Sequence, residues 1–280
     1  MSKDNYLEKC FKGEIIYGDN FNMEEIKTWF EIEKEGYSRL GTTELEDLNN
    51  SIYHYHELNK LCGFKYINSV KKFDNVLGIG SATGIEFEPI IEKINNLNIL
   101  EPSDDLKEKK IKHIEINYKE PTIKGDIDFE ENKFDLITSF GVLHHIPNIS
   151  FVISEISRVL KKDGFFLFRE PIVSMGDWRE DRFGLTKNER GIPINELKRI
   201  IKENNLEIIA ENYGFTLTTP LNKLFRKFSK NPIYYYKFYL VIDKLLSNIL
   251  KFNIKYHAKN KFDKLYPQNV FFVLKKRNLD

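Results

Sequence analysis

Cysteine, alanine and long apolar runs are all scarce in this chain. The two cysteines in 280 residues, Cys10 and Cys62, have no CxxC spacing. They exclude a disulfide-built secreted scaffold and a cysteine-ligated metal ribbon. No uncharged apolar run approaches the roughly 18 residues needed to cross a bilayer. Met1–Cys10 is polar and does not read as a signal peptide. The expectation is therefore a cytoplasmic protein. Net charge is also missing: 43 Lys+Arg stand against 42 Asp+Glu, a formal +1. That balance excludes a strongly basic nucleic-acid binder and an acidic disordered tail. Alanine occurs only at Ala82, Ala210 and Ala258, while Lys, Ile and Asn abound, a bias that says little about function.

What remains is ample for a core, with 41% apolar residues. Four regions separate by pattern. Residues 1–70 read as a helical cap, with one helix starting at Asn22-Met23-Glu24-Glu25 and a second at Thr43, where Glu46 completes a capping box. Residues 71–216 alternate strand and helix signals, as in a parallel sheet covered on both faces. Within them Ile85–Ile94 reads as a helix and Phe165–Phe168 as a strand after the turn Asp163-Gly164. Residues 217–266 form a basic, aromatic-rich helical insertion, and 267–280 close the sheet with Asn269–Leu274.

The most informative segment is Gly78-Ile79-Gly80-Ser81-Ala82-Thr83-Gly84, directly after the strand ending Val76-Leu77. Small residues here let the backbone approach a ligand that faces the next helix start. A dinucleotide fingerprint would need glycine at 83, where Thr83 stands. Glu101 follows Gly80 by 21 residues, at the end of the next strand. A carboxylate at that place can accept both ribose hydroxyls of a nucleoside.

With these residues the chain resembles the class I S-adenosylmethionine-dependent methyltransferases. The match continues through Glu101-Pro102-Ser103, Gly125-Asp126-Ile127, Phe134–Ile146 with its Leu143-His144-His145, and Glu155–Phe165, and so covers about residues 70–171. The resemblance implies a Rossmann-like α/β fold, a seven-stranded sheet with helices on both faces, and S-adenosylmethionine as cofactor. It assigns Gly78, Gly80, Ser81 and Gly84 to the cofactor loop and Glu101 and Pro102 to the ribose. Asp126 and Ile127 fall to the adenine, and Phe140 and His145 to the methyl-donor end. Two departures stand out. Gly78 replaces a carboxylate that in the family often anchors the methionine end, and Ala82 replaces the middle glycine.

Methyl transfer to a hydroxyl needs a base. His145 and Glu170 are the candidates, with His56 of the cap third. No metal site is expected, because His54 and His56 diverge on a helix. Arg169, Trp178, Arg179, Arg182, Lys187 and Arg190 are candidates for the acceptor, since arginine grips phosphate and carboxylate bidentately. Arg169-Glu170-Pro171 followed by Gly184–Gly191 looks like a group associated with bacterial surface-polysaccharide (capsule or O-antigen) loci. The expected reaction is O-methylation of a sugar, a nucleotide-linked sugar or another small anionic precursor. The alternatives are a quinone, lipid or nitrogen acceptor, or a non-catalytic binding module. The neutral total hides a +9 stretch at 217–266 on a −8 remainder. Lys230, Lys237, Lys244 and Lys251 recur every seven residues there, along one helix face. This stretch reads first as a helix packed on the core with a solvated lysine face, then as a lid over a phosphorylated acceptor. Contact with a membrane surface comes last, and nucleic acid is not expected.

Overall fold

The computed structural model describes residues 3–39, 53–178, 180, 182, 184–258, 260 and 265–277. Eight strands form one sheet: β1 (Phe73–Ile79), β2 (Ile94–Leu100), β3 (Lys110–Ile111), β4 (Ile114–Lys119), β5 (Phe134–Phe140), β6 (Leu160–Pro171), β7 (Leu206–Gly214) and β8 (Asn269–Lys276). Their order is β3-β4-β2-β1-β5-β6-β8-β7. β4, β2, β1, β5 and β6 run parallel, while β8 pairs antiparallel with β6 and β7. The α/β Rossmann-like methyltransferase architecture expected from the sequence is present, with one strand more than the seven foreseen. The extra strand is β3, two residues folded back on β4 through Lys112 at φ +51. It covers an otherwise open sheet edge.

Side chains alternate between the faces as strand geometry requires. Phe166, Phe168 and Phe272 pack on one face under α4 (Ile149–Val159) and α5 (Ile194–Glu203). Leu167, Phe271 and Val273 pack on the other, with α3 (His56–Cys62), the 85–93 segment and Leu240. The expected helix over 85–94 is instead a 3-10 segment, Ile85–Lys93, with Pro89 inside it. Proline removes an amide donor and disfavours the α-helical conformation of the residue before it. The cap begins with α1 (Lys3–Lys12) and α2 (Met23–Arg39). The helix expected from Thr43, with Glu46, lies outside the described residues. Between β7 and β8 come α6 (Thr218–Phe225) and α7 (Lys237–Leu250). The chain leaves β1 for β2 on one side and reaches β5 on the other. A crevice therefore opens at the C-terminal ends of β1 and β5, where such sheets bind ligands.

Candidate functional site

The turn after β1 is built for close approach. Gly80 has φ +61, and a Cβ there would lie 2.7 Å from Val142 Cγ2. Gly84 has φ +76 at the start of the 85–93 segment. Glu101 is buried at the end of β2. Its Oε2 accepts the Ala82 amide at 3.2 Å and its Oε1 accepts the Ser103 amide at 2.9 Å. Burial pushes its pKa up in spite of those bonds. Pro102 beside it is exposed. Asp126 is partly exposed and pairs with Lys124 Nζ at 3.2 Å. Ile127 is buried and donates its amide to Glu155 Oε2 at 2.9 Å. Phe140 packs against Phe64 and Phe271.

A buried carboxylate that the sequence reading did not name, Glu86, lies close to position 78. A Cβ on Gly78 would lie 2.3 Å from Ser81 Oγ, so Ser81 occupies the space such a side chain would take. Ser81 Oγ donates to Glu86 Oε1 at 3.0 Å, and Thr138 Oγ1 of β5 donates to the same oxygen at 2.6 Å. Both bonds land on Oε1, so Oε2 has no hydrogen bond among the described residues. Glu86 is buried, which raises its pKa to about 7. Arg169 of β6 is buried as well, its guanidinium 3.9 Å from the centre of the Tyr55 ring. Arg169 Nη1, Ser139 Oγ and Thr83 Oγ1 are buried without a hydrogen-bond partner among the described residues. Orphaned polar atoms of this kind are costly unless a ligand or water satisfies them.

A polar latch closes the cap over the end of β5. Glu170 is fully buried and accepts the amides of Val142, Leu143 and His144, together with His144 Nδ1 at 2.6 Å. On the ring's other side His144 Nε2 lies 3.5 Å from Glu189 Oε1. Burial opposes charge on His144, but Glu170 and Glu189 outweigh it and raise its pKa to about 9. His145 Nδ1 meets Glu33 Oε2 of α2 at 2.9 Å. The same oxygen accepts Thr186 Oγ1 at 2.6 Å. Donor atoms of His144, His145 and Glu189 lie within 4.8 Å of one another, a set able to hold a divalent cation, although no metal site is expected from the sequence.

The loop side chains expected to face the acceptor mostly turn inward. Arg190 is fully buried and donates to the carbonyls of Tyr17, His144, Ile146 and Pro147. Arg182 donates to the carbonyls of Met175, Thr186, Lys187 and Glu189. Trp178 lies between Phe11, at 4.4 Å, and Tyr17, at 5.1 Å, and its Nε1 bonds the Ser174 carbonyl. These three are committed to loop and cap packing. Lys187 is exposed, and Arg179 lies outside the described residues. His56 pairs with Glu88 Oε2 at 3.4 Å, and burial lowers its pKa. Its described partners are Glu88 and Tyr53 rather than His145.

A family model described as a methyltransferase domain matches residues 45–219. A curated relative, the ubiquinone biosynthesis O-methyltransferase of Pelagibacter ubique (strain HTCC1062), is 27% identical over 156 residues, which is 52% of this chain and 63% of the relative. The chain thus spans a little under two thirds of that relative's length. Among solved structures, a SAM-dependent methyltransferase from Archaeoglobus fulgidus superposes with TM-score 0.53 at 15% identity, covering 84% of this chain and 100% of that one. A SAM-dependent methyltransferase of Leishmania major gives 0.54 at 12% identity, covering 70% and 81%. At such identities the likeness is one of fold.

Proposed function

This chain belongs to the methyltransferase-domain family, and on that premise we propose that it moves the methyl group of S-adenosylmethionine to a hydroxyl oxygen of a small acceptor. The described residues suit that cofactor. Gly80 and Gly84 open the cradle, Glu101 stands for the ribose hydroxyls, and Asp126 and Ile127 stand for the adenine. Glu86 takes the ammonium of the methionine end through Oε2, and Arg169 takes its carboxylate through Nη1; neither atom has a hydrogen bond among the described residues. Bound there, the cofactor supplies an electrophilic methyl group on a positively charged sulfur.

The observation that carries the oxygen-acceptor reading is the pairing of His145 with Glu33 at the end of β5. A carboxylate at Nδ1 orients an imidazole and stabilises it once it has taken a proton. His145 is therefore the base. Glu170, saturated by three amides and His144, positions the turn instead. The acceptor class we favour is a ring-bearing, lipid-like hydroxyl compound. Tyr55 and Tyr234 stack at 4.9 Å beside Arg169, and the relative named above works, by its name, on ubiquinone synthesis. The sugar or nucleotide-sugar acceptor loses its support because Arg182 and Arg190 are spent on carbonyls. Labelled methyl transfer to a panel of prenylated catechols and nucleotide sugars tests this. We expect transfer to the catechols, and a rate about a hundredfold lower in His145→Gln. Transfer to nucleotide sugars alone, or an undiminished rate in the variant, contradicts the reading.

A further inference from the structure

α7 is packed with its polar side inward. Its buried residues are Leu240, Asp243 and Ser247. Asp243 accepts the amides of Phe215 at 2.6 Å and Thr216 at 3.1 Å, and Ser247 bonds Thr216 Oγ1 at 2.7 Å. The outward side carries Phe238 at 79% exposure, Leu245 at 62% and Ile249 at 66%, with Phe252 at 81% just beyond the helix. At about 100° per residue these side chains share one arc opposite Asp243, and Lys237, Lys244 and Lys251 run along one edge of it. Leu224 and Phe228 stand exposed on the neighbouring α6 and its C-terminal turn, next to exposed Lys223, Lys227 and Lys230. Isolated soluble domains rarely leave so continuous an apolar face in water.

We propose that this face docks on an anionic phospholipid bilayer, with α7 lying in the plane of the interface. The charge distribution selects that occupant. Lys223, Lys227, Lys230, Lys237, Lys244 and Lys251 lie on or beside this face, while the chain outside 217–266 carries −8, so an anionic surface attracts the face and repels the rest, which orients the molecule. A second copy seated on the same patch would bring two sets of these six lysines together. Aromatic and aliphatic side chains flanked by lysine stems are the composition of an interfacial helix. No helix among the described residues is long and apolar enough to cross a membrane, so the contact is with one surface. Docking would also bring the bilayer near the site. Tyr234, just before α7, stacks on Tyr55, and Tyr55 covers Arg169. The proposal stands on this surface alone and does not depend on the identity of the acceptor.

The test is co-sedimentation of the full chain with phosphatidylglycerol–phosphatidylcholine vesicles and with phosphatidylcholine alone, at low and high salt. We expect pelleting with the anionic vesicles at low salt and release at high salt. Phe238→Ser/Leu245→Ser/Phe252→Ser should abolish pelleting, and Lys237→Glu/Lys244→Glu/Lys251→Glu should weaken it roughly a hundredfold. Phe238, Leu245, Phe252, Lys237 and Lys251 are exposed and Lys244 is half-buried, so the serine variant should melt like the parent and the charge-reversed variant close to it. Three outcomes overturn the proposal: parent protein left in the supernatant with anionic vesicles at low salt, equal pelleting of the charge-reversed variant, or a dimer in ultracentrifugation that the serine variant disperses.

Discussion

The mouth of the crevice and the outer face of α7 distribute polarity in opposite ways. At the crevice, charged groups are drawn inside: Glu86, Glu101, Arg169, Glu170, Glu189 and Arg190 are all buried. On α7 the large apolar side chains are outside, and an aspartate holds the helix down. The two arrangements teach different things. A buried charge persists only if it is paired, hydrogen-bonded or waiting for a ligand, so each such group can be sorted by its partners. Glu170 and Arg190 are fully partnered and hold the structure together. Glu86 Oε2 and Arg169 Nη1 have no hydrogen bond among the described residues, which is what the proposed cofactor site asks of them. An exposed apolar face is sorted by the same logic, and it marks a surface that water does not normally cover.

Removing a fully partnered charge should cost the most. Arg190→Met would leave the carbonyls of Tyr17, His144, Ile146 and Pro147 without their donor inside the protein. We expect a loss of about 3–5 kcal/mol, read as a lower melting temperature. Arg190→Lys should recover little, because an ammonium cannot span the acceptors a guanidinium fork reaches. A Met variant as stable as the parent would break the distinction between structural and ligand-facing charges.

The latch gives a smaller effect with a defined sign. The folded pKa of His144, about 9, lies above its ordinary value of about 6.5. A raised folded pKa contributes stability that is complete below the unfolded value and is lost as pH rises through the folded one. The melting temperature should therefore fall between about pH 7 and pH 9. Glu189→Gln, which removes one of the two carboxylates facing the ring, should flatten that fall. Identical profiles for parent and variant would mean that the Glu189 contact does not hold the proton.

Much of the fold and part of the candidate site were legible in the chain. The Gly-rich turn, Glu101, Asp126 and the His144-His145 pair stand on contiguous motifs, and local spacing places them at strand ends. Long-range partners were not legible. Glu33 meets His145 across 112 positions, and no local pattern points to that pairing. Arg182 and Arg190 looked free because their acceptors are backbone carbonyls, one of them, Tyr17, in the distant cap. Glu86 carried a weak signal, since an acid missing at Gly78 invites a search for one on the segment that follows the turn. For α7, apolar periodicity identifies which residues share a face, but not which way that face turns. Asp243 and Ser247, four apart and opposite the apolar arc, were the clue that it turns outward.

The central claim is that a buried carboxylate from the segment after the turn serves the cofactor's methionine end in place of one on β1. Isothermal titration of S-adenosylhomocysteine and 5′-methylthioadenosine, which lacks the amino-acid end, tests it directly in the parent and in Glu86→Gln. We predict that the variant binds S-adenosylhomocysteine about tenfold to a hundredfold more weakly, the worth of a hydrogen bond to a charged group, with 5′-methylthioadenosine affinity unchanged. Equal weakening of both ligands, or none of either, would contradict the claim.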